Sequence, residues 1–68
     1  METREILKRL RESHQLTQEQ MAERLMVTRQ AVSRWENGET QPNTETLKLL
    51  SREFHVSVNT LLGAPRQL

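Results

Sequence analysis

The apolar residues of the chain come in short groups with helical spacing. Ile6, Leu7 and Leu10 fall at i, i+1 and i+4, as do Met21, Ala22 and Leu25 and then Ala31, Val32 and Trp35, so each trio lines one face of a helix. Leu47, Leu50 and Phe54 recur at i, i+3 and i+7, and Val58, Leu61 and Leu62 give a short last segment its apolar side. Start and stop signals separate these groups. Thr17 with Gln20 three residues later reads as a capping box, which starts a helix at Gln18. Thr28 offers a second N-cap, and Asn37-Gly38 supplies a stop. Pro42 disfavours helix at Gln41, Asn43 or Thr44 caps the next helix, and His55 ends it. Ser57 caps the last helix, which Gly63-Ala64-Pro65 stops. The first helix spans about Thr3 to Ser13 with Thr3 as its cap, and Leu16 packs as a staple ahead of the second. The expected fold is all-α, a compact bundle of five short helices.

At 68 residues the chain has the size of one small domain, near the length at which folding buries only about 60% of the unfolded surface. The reading places a domain at residues 1–63 and a tail or the start of a linker at 64–68. No cysteine is present, so a disulfide framework and a thiolate metal site are excluded, and a reducing, cytoplasmic setting is the default expectation. The start is charged and the longest apolar run is Leu25-Met26-Val27, which predicts neither a signal peptide nor a membrane span. With no Cys, Tyr or Asp, and with His14 and His55 far apart in connectors, no catalytic constellation is expected. No His/Glu spacing suggests a metal site and no Gly-rich loop suggests a phosphate cradle, so no cofactor is expected either.

The net charge of +1 does not announce a nucleic-acid partner, but the distribution of charge is informative. Val27 to Trp35 holds two arginines and no acid. Only Met26 and Val27 separate the second and third periodic segments from the next cap, too short a link for relaxed antiparallel packing, so these helices should cross steeply as a helix-turn-helix unit. Ala22 is small where they would touch. Met21, Ala22, Leu25, Val32 and Trp35 form the predicted core of the unit. With Ala31, Val32 and Trp35 turned inward, Thr28, Arg29, Gln30, Ser33 and Arg34 face outward near the start of the third helix. Arg can bond bidentately to guanine O6 and N7 and Gln to adenine, which makes these candidate base-reading residues. Gln18, at the start of the second helix, is placed where side chain and helix dipole can both address a phosphate.

The run Val27-Thr28-Arg29-Gln30-Ala31-Val32-Ser33-Arg34-Trp35-Glu36-Asn37-Gly38, with Gln18 and Ala22 at their spacing, resembles the helix-turn-helix family of phage repressor and Cro proteins. That family includes the bacterial xenobiotic-response-element-type (XRE) regulators. The segment Pro42 to Leu62 extends the resemblance over nearly the whole chain. The resemblance implies a lambda-repressor-like DNA-binding domain. It further implies that Gln18 clamps the DNA backbone, that Arg11 pairs with Glu36 and helps present it to phosphate, and that Asn37, Thr40, Gln41 and Asn43 contribute phosphate contacts. Asn37-Gly38 also serves as a helix stop. Two positions depart from the family pattern. The turn residue usually Gly is Met26, at a cost of roughly 1 kcal/mol or more if the backbone there is left-handed. The basic residue that reaches the minor groove in some members has no counterpart at Thr44 or Glu45, so minor-groove reading is not expected.

The functional expectation is a transcriptional regulator, a repressor, that reads double-stranded DNA in the major groove as a homodimer. It would be cytoplasmic, at the nucleoid when bound, with neither membrane nor metal as partner. Val58, Leu61 and Leu62 are the candidate dimer surface, although the same residues could close the monomer core. Two alternatives stand beside it. One is an antitoxin-like or adaptor module whose partner is a protein. The other is the DNA-binding fragment of a longer sensor protein that continues past Leu68, as Gly63-Ala64-Pro65 suggests.

Overall fold

Helix starts in this chain are set by side chains that satisfy the first free backbone N–H groups. The computed structural model describes residues 2–63. It contains α1 (Thr3–Ser13), α2 (Gln18–Leu25), α3 (Arg29–Asn37), α4 (Thr44–Phe54) and α5 (Val58–Leu61). Thr17 Oγ1 accepts from the Gln20 N–H at 3.0 Å while Gln20 Oε1 accepts from the Thr17 N–H at 2.9 Å, a reciprocal box that opens α2. Thr28 Oγ1 accepts from Ala31 N–H at 3.1 Å, Asn43 Oδ1 from Thr46 N–H at 2.9 Å, and Ser57 Oγ from Thr60 N–H at 3.0 Å. These caps open α3, α4 and α5.

The start of α1 differs from the sequence reading. Its N-cap is Glu2, whose N–H donates to Glu5 Oε1 at 3.1 Å, and Thr3 is instead the first helical residue, turned inward and buried. Carboxylates at this end also sit favourably at the positive pole of the helix.

Left-handed residues mark the helix ends. Met26 (φ 57°) and His55 (φ 58°) close α2 and α4, as expected for positions that favour Gly or Asn. Gln15, just past α1, takes the same conformation (φ 57°) without any signal in the sequence, whereas Gly38 (φ 81°) closes α3 at no steric cost.

The inward faces meet in one core made of Leu7, Met21, Ala22, Leu25, Val32, Trp35, Leu47, Leu50, Phe54 and Leu61, with Leu16, Val27, Val56 and Val58 packed around it. The His14 and Phe54 rings meet in a T-shaped arrangement at a centroid distance of 4.8 Å, and the Arg24 guanidinium lies 6.0 Å from the Phe54 ring centroid. Leu61 is completely buried. It therefore closes the monomer core and is removed from the candidate dimer surface, where Val58 is half-buried and Leu62 exposed. Ala64 and Pro65, proposed as part of the terminal stop, and the rest of 64–68 lie outside the described residues.

A polar lock joins α1, α2 and α3 at one edge of this core. Arg11 Nε donates to Glu36 Oε2 at 2.7 Å and Nη2 to Oε1 at 3.1 Å, while Nη1 donates to the Leu16 carbonyl at 2.9 Å. The two side chains are only 14% and 4% exposed. The hydrogen bond to Glu36 raises the Arg11 pKa above its ordinary value, against the opposing effect of burial and with help from the charges of Glu36 and Glu12. Stability from a raised base is fully present below its unfolded pKa, so this pair stays ionised on the Arg side throughout the working pH range.

Two stability outcomes follow. Met26 is 83% exposed and makes its contribution mainly through its backbone, so Met26→Gly should raise the unfolding free energy by about 0.5–1 kcal/mol in urea melts. Arg11→Met leaves a buried carboxylate short of its main partner and should cost about 3 kcal/mol, a large part of the roughly 3–10 kcal/mol expected for a chain this long. Combining it with Glu36→Leu should restore most of that loss in a double-mutant cycle.

Candidate nucleic-acid interface

The turn between α2 and α3 is closed by its own backbone. Met26 in the left-handed region reverses the chain, and the Val27 N–H donates to the Ala22 carbonyl at 3.0 Å. Val27 then tucks against the core and Thr28 caps α3. Ala22, buried and without a bulky side chain, lies on the α2 face that packs in the core with α3's Val32 and Trp35.

With Val32 and Trp35 buried, the opposite face of α3 points to solvent. Arg29, Gln30 and Arg34 are exposed and Ser33 half-buried, which leaves two guanidiniums, an amide and a hydroxyl along the first two turns. Thr28 is exposed; its oxygen already accepts the Ala31 N–H, which leaves the hydroxyl proton, a second lone pair and the methyl group to offer. The one acid on α3, Glu36, is turned to Arg11 and nearly buried, so it adds no open negative charge to this face.

The phosphate candidates divide into two groups. Gln18 stands at the start of α2, half-buried, and its Nε2 donates to Glu36 Oε1 at 3.2 Å. The lock formed by Arg11 and Glu36 thus also holds the Gln18 amide, a link that no spacing in the sequence reveals. Arg11 spends all three of its donor nitrogens within the domain. Its position supports Glu36 and Gln18 rather than offering an open cation. Asn37, Thr40, Gln41 and Asn43 lie after or at the end of α3 and are exposed. Asn37 Nδ2 reaches Glu39 Oε2 at 3.4 Å, and Asn43 is occupied as the α4 cap. Thr40 and Gln41 line an open cleft of about 410 Å³ together with Arg4, Gly38 and Leu62.

Among the described residues no group of three or more His, Asp or Glu could hold a metal ion. No described helix is long and apolar enough to cross a membrane.

Comparison with known proteins bears on this arrangement. A family model described as helix-turn-helix matches residues 7–61. The HTH-type transcriptional activator BcrR of Enterococcus faecalis is 50% identical over 63 residues, covering 93% of this chain and 31% of BcrR. Antitoxin PezA of Streptococcus pneumoniae serotype 4 is 34% identical over 62 residues, which cover 91% of this chain and 39% of PezA. A solved transcriptional regulator from Listeria innocua superposes with a TM-score of 0.89 at 36% identity, over 98% of this chain and 63% of that one. The chain thus spans roughly a third of these two curated relatives, 31% and 39% of their lengths. With two helices joined by a left-handed turn, a buried inner face and a polar outer face, and with the family model matched from residue 7 to 61, this chain is a member of the XRE-type helix-turn-helix family.

Proposed function

We propose that this domain binds double-stranded DNA sequence-specifically by laying α3 in the major groove, as the reading part of a transcriptional regulator. The observation that carries the proposal is the split character of α3. Its inner face is committed to the core, while Arg29, Gln30, Ser33 and Arg34 stand on the outer face with no open acid among them. Arginine and glutamine are the side chains that read guanine and adenine edges bidentately. Gln18 and the exposed loop residues Asn37, Thr40 and Gln41 would meet phosphates and set the register of α3 on the duplex. Asn43 contributes through the start of α4, and Thr28 through its methyl and hydroxyl groups.

The binding unit is a two-fold homodimer, whose recognition helices would enter successive major grooves about 34 Å apart. Leu62, exposed at 44% just past α5, and the half-buried Val58 are the apolar side chains left to contribute to such a contact. Repression and activation use the same docked helix and differ in where the operator lies, so the proposal concerns the binding event. The similarity to an antitoxin supports a second reading, a module whose main partner is a protein.

Selection of sites from a random duplex pool separates the two. The expected result is a two-fold motif with half-sites about one helical turn apart. Arg29→Ala and Arg34→Ala should each cost about 1–3 kcal/mol on that motif and relax the preference at one base position. Gln18→Ala should weaken all sequences alike and leave the motif intact. Enrichment of no sequence at moderate salt, with both arginine variants silent, would sink DNA reading by this chain and favour the protein-binding module.

A further inference from the structure

Charge on α1 looks like an ordinary solvated surface until it is placed against α3. Arg4, Lys8 and Arg11 are spaced by four and three residues and so form one stripe along the helix. Glu5, Arg9 and Glu12 form a second stripe beside it. Arg11 marks which stripe borders the interface, because it is bonded to Glu36 of α3. Arg4 marks the other end. A Cβ built on Gly38 would lie 3.2 Å from Arg4 Cδ and 3.7 Å from its Nη1, so the Arg4 side chain lies over the last turn of α3, next to Asn37. It also lines the cleft that holds Thr40 and Gln41. Lys8 lies between these two, exposed and without an ion pair among the described residues.

This edge supplies what the loop after α3 lacks. From Gly38 to Asn43 the loop contains one ionised residue, Glu39, and it is acidic. Arg11 is neutralised by Glu36. A backbone phosphate approaching Asn37, Thr40 and Gln41 would therefore meet no cation from the loop itself. Arg4 is the cation delivered there, held by packing over Gly38. Its partner Glu2, 3.4 Å away, is 72% exposed, and an ion pair so open to water holds weakly and yields readily to a phosphate.

Resting on the DNA-binding reading above, we propose that Arg4 and Lys8 form a phosphate-binding strip on α1 that works with the loop after α3 to hold the DNA backbone beside the bases read by α3. The strip carries affinity and salt dependence and no sequence information.

The test measures the salt dependence of binding to the duplex enriched by selection and to a random-sequence duplex of equal length. Arg4→Met combined with Lys8→Met keeps the apolar stems, including the one over Gly38, and removes both charges. This double variant should lower the slope of log K against log salt by about 1.8, at about 0.9 per phosphate contact, with equal loss on both duplexes. Arg4→Lys with Lys8→Arg should keep the wild-type slope. The control, Arg9→Met with Arg52→Met, removes the same charge from exposed sites off the strip and should change the slope far less. Circular dichroism melts check that each variant is folded. An unchanged slope in the strip variant, or an equal fall in the control, would overturn the strip in favour of the general field of the protein. Wild-type protein that binds neither duplex would instead defeat the DNA-binding reading itself, and the strip with it.

Discussion

A nearly buried carboxylate on α3 is the constraint around which this domain is arranged. Glu36 is 4% exposed, and a charge so far from water is tolerable only with a close, well-formed partner. Arg11 meets both carboxylate oxygens, and its third nitrogen takes the Leu16 carbonyl just ahead of α2. Gln18 adds a further donor from the first residue of α2. One ion pair thus fixes the roll of α3 against α1 and the start of α2 against both. A helix that reads bases must present its side chains at a set angle to the backbone clamps. If α3 reads bases as proposed, that angle rests on planar, directional hydrogen bonds, where apolar contact alone would allow sliding.

The rest of the fold shows how few interactions hold so short a chain. Among the described residues the core is ten buried apolar side chains, and the four longer helices have only eight to eleven residues each. Helices of this length are marginal alone, so capping and packing decide whether they form. Every helix has a capping group at its start, yet three non-glycine residues occupy left-handed positions. Each such residue gives up some stability to turn the chain sharply. Those turns are needed because the links between helices are so short. Met26 shows the exchange most clearly, since a strained, solvent-exposed methionine is what lets Val27 and Thr28 return the chain directly into α3.

Much of this was legible in the sequence because the signals are local. Thr17, Thr28, Asn43 and Ser57 cap through partners three residues away, and the apolar trios share a face by helical spacing alone. Glu2 displaced Thr3 as the first cap because two acidic residues can serve the same positive helix end while Thr3 turns inward, a competition that the sequence pattern leaves open. Gln15 gave no sign of its left-handed backbone, being neither Gly nor Asn. Leu61 and Leu62 are adjacent and chemically identical, so only packing could assign one to the core and the other to the surface. The Arg11–Glu36 pair came from family resemblance, but Gln18 joining it, and Arg4 lying over Gly38, are contacts between elements. Such contacts depend on how the helices cross, which no spacing within one helix encodes.

Placement of charge accounts for how a domain of net charge +1 could bind DNA as proposed. Most of the acids stand off the outer face of α3: Glu19 and Glu23 lie on α2 away from its buried face, Glu45 and Glu53 on the exposed side of α4, and Glu36 is neutralised where it stands, while Glu39 remains exposed in the loop after α3. The outer face of α3 is left cationic. A uniformly basic domain would hold any duplex tightly and gain little by finding its own site, because counterion release rewards every sequence equally. Low net charge lowers that common term, so a larger share of the binding free energy comes from contacts that only the right bases can make. On the proposed reading, the near balance of ten basic and nine acidic residues favours selectivity, because it lowers the attraction common to every sequence relative to the contacts made by the outer face of α3.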